Sequence, residues 1–430
     1  MELLIEQLKK GNIPEHVKKS ADTEQIALRE LKERIINGTV VLPRSLRSPV
    51  TDDNLSAIGK GMRTKVNANI GTSPDQADIS LELEKLHIAV ESGADAVMDL
   101  STGGDLRKIR QVIRKACTVP LGTVPIYQAI CELVKADKQT GDLTADHLFD
   151  VIEQHAEDGV DFVTVHCGIT LRTIKRLHMS NRIAGVVSRG GSFLVKWMDK
   201  HNQENPLYAQ FDRLLDIARR YDVTLSLGDG LRPGAIADAS DLAQYAELNV
   251  LGELVTRARK AFVQVIVEGP GHVPIDQINA NMHMQKTICS GAPFYVLGPL
   301  VTDVAAGYDH ITSAIGGALA ASAGADFLCY VTPSEHIHLP GAEDVRLGVM
   351  ASRIAAHAGD LVKKIPGAWE WDAVMSKARK ALDWEAQKNL ALDPKKFAHL
   401  RNSHKPGKSD VCTMCGEFCA MDEIKDEVKV

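Results

Sequence analysis

The sequence predicts a (β/α)8 barrel of the TIM type, and three observations carry this prediction. The 430-residue chain has 44% hydrophobic and 25% charged residues, as a globular protein with a large core does. From residue 80 onward an amphipathic helix, a glycine-containing stop and a short apolar strand recur, first in LELEKLHIAVESGADAVMDLSTGG. The strands are almost continuously apolar, which is typical of parallel strands covered on both faces. Strands that alternate with helices indicate a parallel α/β fold.

Nine segments qualify as strands, one more than the barrel requires. They are residues 64–71, 95–101, 120–127, 161–167, 183–189, 224–229, 263–268, 293–298 and 326–332. One of them therefore lies outside the barrel or is not a strand. A doubly wound open sheet is the second possibility, but no G-x-G-x-x-G follows a first strand. The barrel is favoured because nearly every segment ends in polar or glycine-rich residues, and barrel active sites gather at those ends.

Four segments are expected along the chain. Residues 1–60 contain short helices around GTVVLPRSLRSP and are interpreted as a small cap. Residues 61–370 form the barrel, and residues 371–403 carry helical patterns such as WDAVMSKARKALDWEAQKNLAL. Residues 404–430 are interpreted as a polar, basic linker followed by a cysteine-containing tail.

Composition excludes several classes of protein. A net charge of −6 gives no reason to expect a nucleic acid partner. The charged, amphipathic start MELLIEQLKKGNIPEHVKKS is not a signal peptide, and no run approaches the roughly 18 apolar residues of a membrane span. Five of the eight cysteines lie in apolar runs, which indicates buried, reduced thiols. We therefore expect a cytoplasmic enzyme without a membrane partner.

The remaining cysteines, Cys412, Cys415 and Cys419, have the spacing C-x2-C-x3-C in SDVCTMCGEFCAMDE. A zinc site needs a fourth ligand, which His399 or His404 could supply. A [4Fe–4S] cluster with three thiolates leaves one iron open to a cofactor. Spacing alone leaves both readings open, and a zinc-binding, non-catalytic barrel is the corresponding alternative of another class.

Two histidine-containing loops follow apolar strands. VEGPGHVP carries Glu268 and His272, and TPSEHIHLP carries Glu335, His336 and His338. Imidazoles from two strand ends can hold a divalent metal, with Glu268 as a ligand or base. A single histidine more often forms a hydrogen bond within its loop, but two such loops in one barrel mouth favour a metal.

Polar glycine-rich turns predict an anion site. SRGG starts with Ser188 and Arg189, and GDGLRPG contains Asp229 and Arg232. Free backbone N–H groups beside guanidinium groups bind phosphate, whereas ordinary tight turns would need only the glycines. Six further residues at strand ends could contact a ligand, but each could also have a purely structural role as a cap, a packed aromatic ring or a core side chain. They are Asn67, Asn69, Met98, Tyr127, His166 and Tyr295.

With these motifs together, the chain resembles the phosphomethylpyrimidine synthase (ThiC-like) family of radical S-adenosylmethionine enzymes. The matching segments run in family order over about residues 35–420 and include KVNANIGTS, PLGTVPIYQA, VVSRGGS, LSLGDGLRPG, VEGPGHVP, CYVTPSEH and CTMCGEFCAM. The resemblance implies a homodimeric barrel enzyme with 5-aminoimidazole ribotide as its substrate. It also implies a [4Fe–4S] cluster, S-adenosyl-L-methionine and an external electron donor.

The resemblance assigns roles to individual residues. The implied substrate contacts are Asn69, Met98, Tyr127, His166, Ser188, Arg189, Gly190, Asp229, Gly230, Leu231, Arg232, Glu268 and Tyr295. A zinc or iron ion would be held by His272 and His336, and the cluster by Cys412, Cys415 and Cys419. Glu268 and the three cysteines would be the catalytic groups.

Two departures from the family bear on the product. Where these synthases usually have Pro-Ala-Asn-x-Asn-His, this chain has LPRSLRSP, with Arg44 and Arg47 in place of amides and an imidazole. DVAAGYDH has Ala306 in place of a usual proline. These changes favour 5-hydroxybenzimidazole as the product, as made by a paralogue in anaerobic cobalamin biosynthesis. The alternative is the pyrimidine phosphate of thiamine biosynthesis, made by a synthase with a changed cap loop.

Overall fold

Eight parallel strands close into a barrel in the computed structural model, which describes residues 2–404 and 411–423. A two-residue antiparallel pair precedes them, formed by β1 (Val40–Val41) and β2 (Ile58–Gly59). The barrel strands are β3 (Lys65–Ile70), β4 (Ala96–Asp99), β5 (Leu121–Thr123), β6 (Phe162–Val165), β7 (Thr224–Leu227), β8 (Val265–Gly269), β9 (Phe294–Leu297) and β10 (Phe327–Cys329). Each strand pairs with the next, and β10 pairs with β3 to close the ring. The predicted TIM-type barrel is confirmed.

The predicted strand at 183–189 is wrong, which accounts for the ninth candidate. Its apolar side chains are not in a sheet: Ile183 is 79% exposed and Val187 42% exposed. The segment ends at Ser188, whose side chain accepts the N–H of Gly191 and caps a helix. The predicted strand at 120–127 is also too long, because a helix begins at Pro125 and contains Tyr127.

Helices surround the barrel and connect its strands. They are α1 (Leu4–Lys9), α2 (Glu15–Thr23), α3 (Leu28–Ile36), α4 (Ile79–Glu91), α5 (Leu106–Ala116), α6 (Pro125–Lys135), α7 (Ala145–Glu157), α8 (Leu171–His178), α9 (Arg189–His201), α10 (Pro206–Ala209), α11 (Phe211–Tyr221), α12 (Leu242–Lys260), α13 (Ile275–Ile288), α14 (Asp309–Ala323) and α15 (Ala342–Lys363). Side-chain caps accept hydrogen bonds from the first N–H groups of several of these helices; Asp241, for example, caps α12.

Aromatic rings fill the interior of the barrel. The ring of Tyr295 stacks on that of Phe327 at a centroid distance of 4.4 Å, and Phe327 meets Phe162 edge-on at 6.4 Å. All three residues are almost fully buried. The barrel interior is thus a packed core rather than a pore.

The segment LPRSLRSP lies at the amino ends of the barrel strands. The N–H of Ser45 donates to Asp161, the residue before β6. The N–H of Leu46 donates to the carbonyl of Tyr221, which lies three residues before the start of β7. Arg47 donates to the carbonyl of Glu157 and lies over the ring of Tyr221. These residues therefore close the barrel end that is opposite to the carboxyl ends of the strands.

The chain divides into two compact units, residues 1–363 and 364–430. The second contains α16 (Ala368–Lys380), α17 (Trp384–Leu390), α18 (Pro394–Ser403) and α19 (Ala420–Glu423). Residues 405–410 of the predicted linker lie outside the described residues. Across the part of the chain that the structure describes, no helix combines the length and hydropathy needed to cross a membrane. The predicted domain boundaries stay a prediction.

Candidate functional site

A cavity of about 90 Å³ opens at the carboxyl ends of the barrel strands. Polar side chains from several strands converge on it, as in barrel enzymes generally. Its wall includes these residues from the sequence prediction: Asn69, Met98, Tyr127, His166, Asp229, Arg232, Glu268 and Tyr295. We refer to it as the barrel cavity.

The remaining predicted residues lie next to this wall. Ser188, at the start of α9, has its Oγ 3.1 Å from Nε2 of His166, which follows β6. A Cβ on Gly190 would lie 2.3 Å from Cε1 of His166, so only glycine leaves room for the ring. The guanidinium carbon of Arg189 lies 5.0 Å from the centroid of the Tyr127 ring. The start of α9 therefore packs directly on the cavity residues.

Glycines also bring the two predicted anion turns together. A Cβ on Gly191 would lie 2.4 Å from the carbonyl oxygen of Gly230, so SRGG and GDGLRPG touch through their backbones. The next residue, Leu231, is fully buried and has no side chain in the cavity wall. Gly230 and Leu231 therefore contribute through their backbone, which positions Asp229 and Arg232.

Acidic groups outnumber the guanidinium group at the centre of the site. Arg232 lies 3.2 Å from Oδ1 of Asp229, yet burial still raises the pKa of Asp229 to about 8. Burial also raises the pKa of Glu268, although the hydroxyls of Ser226 (2.6 Å) and Thr164 (2.7 Å) donate to Oε1 and oppose the shift. A ligand with N–H donors or positive charge would favour the ionised carboxylates.

His166 is a neutral imidazole near neutral pH. Burial, followed by the charge of Arg232, lowers its pKa to about 3. Its Nδ1 is buried and has no hydrogen-bond partner among the described residues, while Nε2 faces Ser188. It can therefore serve a ligand as a neutral donor or acceptor.

A second polar group connects β3, β9 and β10. The amide of Asn67 donates to Oδ1 of Asn69 (2.8 Å) and to the hydroxyl of Tyr295 (2.8 Å). The amide of Asn69 donates in turn to Sγ of Cys329 at 3.1 Å. These bonds fix the orientation of Asn69 and Tyr295 in the cavity wall.

Sequence reasoning missed several residues that shape the site. Thr164, Ser226 and Cys329 were within recognised strands, but only the alternation of inward positions along each strand could have selected them. Glu247 lies in the middle of α12 and is 2% exposed, and its Oε2 accepts the N–H of Leu231 at 2.7 Å. No local signal distinguishes it from a surface glutamate.

The two predicted metal-binding histidines are neighbours. The ring centroids of His272 and His336 are 5.5 Å apart. Nδ1 of His272 is hydrogen-bonded to Asp303 at 2.8 Å, as metal-binding imidazoles often are to a carboxylate. Nδ1 of His336 lies 3.7 Å from Asp309, which is beyond hydrogen-bond distance. His336 has a φ of 63°, a strained conformation for a non-glycine residue. The donor set fits a divalent metal whose other ligands come from solvent or substrate.

The three tail cysteines are free thiols on a turn in the second unit. The N–H of Gly416, at a φ of 54°, donates to the carbonyl of Cys412. N–H groups of Cys415 and then Met414 lower the pKa of the Cys412 thiol, which favours the thiolate form that iron and zinc bind. Within residues 2–404 and 411–423, no three His, Cys, Asp or Glu side chains are already grouped to hold a metal ion.

Fold and site define a barrel enzyme with an acidic, arginine-containing cavity and a cysteine-rich tail. The sequence profile of the Radical SAM ThiC family matches residues 4–426, so the chain belongs to this family. Radical SAM chemistry implies a [4Fe–4S] cluster and S-adenosyl-L-methionine.

Curated relatives agree over nearly the whole chain. A phosphomethylpyrimidine synthase of Desulforamulus reducens is 58% identical over 96% of this chain and 95% of the relative. One of Moorella thermoacetica is 57% identical over the same shares. One of Geobacter metallireducens is 55% identical over 99% of this chain and 97% of the relative.

Proposed function

We propose that this chain converts 5-aminoimidazole ribotide into 4-amino-5-hydroxymethyl-2-methylpyrimidine phosphate by radical S-adenosyl-L-methionine chemistry. The observation that carries the proposal is the convergence of Asp229, Arg232, His166 and Glu268 in one cavity. Support for this product comes from relatives of 55–58% identity that carry the name phosphomethylpyrimidine synthase. The predicted 5-hydroxybenzimidazole product has no such support.

The sequence argument for the benzimidazole product also loses its physical basis. It relied on Arg44, Arg47 and their neighbours, which lie at the amino ends of the strands. Arg44 pairs with Asp52 at 2.5 Å, and Arg47 binds the end of α7. Ala306 is exposed in the loop after β9, where no contact with the barrel cavity depends on it. None of these residues lines the barrel cavity, so the structure adds no support for the benzimidazole product.

Charge and hydrogen-bonding capacity support a role for each group around the ribotide. Arg189 is exposed above Tyr127 and suits the phosphate, with Ser188 and the N–H groups at the start of α9 beside it. Glu268 and Asp229 suit the exocyclic amino group of the ribotide, because both carboxyls accept hydrogen bonds when ionised. Asn69, Met98, Tyr127 and Tyr295 enclose the remaining faces.

Cys412, Cys415 and Cys419 would hold the cluster, which supplies reductive cleavage of S-adenosyl-L-methionine to a 5′-deoxyadenosyl radical when bound. His272 and His336 would hold a zinc or iron ion, and Asp303 fixes the ring of His272 for that purpose. The homodimer, the external electron donor and the cytoplasmic location belong to the same proposal.

A product assay tests the proposed function. Anaerobically reconstituted protein, supplied with 5-aminoimidazole ribotide, S-adenosyl-L-methionine and a reductant, should yield the pyrimidine phosphate. The variant Cys415→Ala should make none and keep its thermal unfolding midpoint, with Cys131→Ala as the matched control for loss of a thiol. Formation of 5-hydroxybenzimidazole instead would overturn the product assignment, and product from Cys415→Ala would overturn the cluster assignment.

Metal analysis tests the histidine pair. Protein purified with zinc should hold one ion more per chain than His272→Ala or His336→Ala. His338→Ala is the matched control, because it removes a histidine from the same loop at an exposed position. Equal metal content in all four proteins would remove the metal from the proposal.

A further inference from the structure

A second cavity of about 20 Å³ adjoins the barrel cavity. The two share Asp229, Arg232 and Glu268. On its other side the second cavity is lined by Glu247 of α12, with Gln244 of the same helix and Asn281 of α13. It therefore connects the residues that face the ligand to a helix outside the barrel.

Glu247 and Asp229 each bring an unsatisfied oxygen to this region. Oε2 of Glu247 accepts the N–H of Leu231, and the N–H of Gly230 also faces this carboxylate. Oε1 is buried and makes no well-aligned hydrogen bond to the described residues. Oδ2 of Asp229 is likewise buried and unpartnered within that part of the chain. A Cβ at Gly168 would lie 2.6 Å from Cγ of Glu247, so glycine there gives the carboxylate its access.

A buried polar oxygen without a partner is unfavourable, so a water that bonds to two such oxygens would stabilise both. A water needs about 10–15 Å³ and two to four polar partners. This cavity has the volume and is lined by Glu247 and Asp229, the residues that carry the two unpartnered oxygens. Gln244 and Asn281 are bonded to each other at 2.6 Å through their amide groups. The two carboxyl oxygens are thus the natural partners of the water.

Three carboxyls and one guanidinium line the second cavity, and this excess of acidic groups favours a bound proton. Arg232 is already paired with Asp229. Arg182, from the loop before α9, pairs with Asp241 and donates to the carbonyl of Leu231. Glu268 of β8 adds a third carboxyl on the same side.

Burial is the main reason why the pKa values of Asp229 and Glu247 are raised. It raises the pKa of Asp229 to about 8, and together with the charge of Asp229 it raises the pKa of Glu247 to about 8. Two neighbouring acids whose pKa values are both raised are suited to share a proton.

We propose that a water in this cavity bridges Oε1 of Glu247 and Oδ2 of Asp229, and that the two carboxyls share one proton through it. When the proton leaves Asp229, the water accepts it and passes one of its own protons to the Glu247 carboxylate. The exchange conserves charge and needs no other reactant. On the proposed function, it makes Asp229 an ionised acceptor when the amino group of the ribotide arrives, and Glu247 acts as a positioning residue.

Infrared titration of the ligand-free protein tests the shared proton. Wild-type protein should show two coupled carboxyl steps, of which the higher disappears in both Glu247→Gln and Asp229→Asn. In each variant the titration midpoint of the remaining acid should be lower than that of the step that was lost, because its neighbour no longer carries a negative charge. Glu253→Gln, an exposed change on α12, is the matched control and should retain both steps. A remaining acid that keeps its wild-type midpoint would overturn the proposal.

A crystal structure of the ligand-free protein tests the water. It should show a water within hydrogen-bond distance of both oxygens, and a cavity filled by a protein side chain would overturn the bridge. Neither experiment uses the substrate, so their failure is distinct from failure of the product assay. In a third arm, calorimetry in buffers of different ionisation enthalpy should show proton exchange on ribotide binding that Glu247→Gln reduces; unchanged exchange would overturn the relay.

Discussion

Oγ of Ser188 lies 3.1 Å from Nε2 of His166, so the residue that caps α9 also meets the imidazole that follows β6. The contact joins the start of a helix to the carboxyl end of a strand on the wall of the barrel cavity. It holds a neutral histidine next to N–H groups that are suited to an anion.

The depressed pKa of His166 predicts a pH-dependent stability. The unfolded chain binds a proton below about 6.5, whereas the folded protein does so only below about 3. Stability from this group is therefore complete above pH 6.5 and is lost as the pH falls toward 3, at up to about 1.4 kcal/mol per pH unit. Urea unfolding should show a flatter acid dependence for His166→Asn than for wild type. The exposed change His283→Asn is the control, and equal slopes for wild type and His166→Asn would contradict the prediction.

Gly190→Ala should disturb the same histidine. The new methyl would lie 2.3 Å from Cε1 and 2.6 Å from Nδ1 of the His166 ring, so the ring or α9 must move. We expect ribotide affinity to fall by about 10- to 100-fold, which corresponds to roughly 1.4–2.8 kcal/mol. Calorimetric binding checks this, with Gly341→Ala as a control whose methyl meets no atom closer than 3.7 Å. Unchanged affinity would mean that the cavity does not use His166 in its present position.

Arg189 should be sensitive even to lysine. Lysine keeps the positive charge but loses the planar guanidinium that lies over Tyr127 and can bind phosphate through two N–H groups. We expect Arg189→Lys to weaken ribotide binding by about 10-fold and Arg189→Met by about 100-fold. Arg176→Lys, on the exposed face of α8, is the matched control. If the lysine variant binds like wild type, the phosphate lies elsewhere.

Lys85 should be important for stability rather than for binding. Its Nζ lies 2.5 Å from Glu82, both side chains are at most 1% exposed, and Glu82 also accepts the N–H of Gly71 after β3. Lys85→Met leaves a buried carboxylate without its cation and should cost about 3–5 kcal/mol of unfolding free energy.

The matched control for that change is Lys18→Met, which removes an exposed i,i+3 pair with Glu15 and should cost less than about 1 kcal/mol. Denaturant unfolding of both variants measures the difference. Similar costs would show that the buried pair contributes no more than the surface pair.

The barrel could be predicted because its buried strands are apolar runs separated by amphipathic helices. The false strand at 183–189 arose from the same rule: Ala184, Val186 and Val187 form a short apolar run, although Ile183 and Val187 are exposed. Length and hydropathy do not separate such a loop from a strand. Its end at a Ser188 cap, followed by glycines, was the signal that a helix begins there.

The candidate site could be predicted where chemistry coincides with strand ends, as for Asp229, Arg232 and Glu268. Glu247 could not, because its burial depends on Gly168, which is distant in sequence, and on the path of the loop after β7. The role of residues 44–48 was also beyond the sequence. Their polarity was visible, but the barrel end on which they lie depends on contacts with Asp161 and Tyr221.

That position of residues 44–48 affects how related sequences should be sorted. Grouping them by the composition of this segment would sort proteins by the way the amino end of the barrel is sealed, and chains with different products could fall together. A grouping based on the residues that line the barrel cavity would follow the chemistry. Exchange of this segment between two such enzymes should accordingly transfer stability and leave the product unchanged.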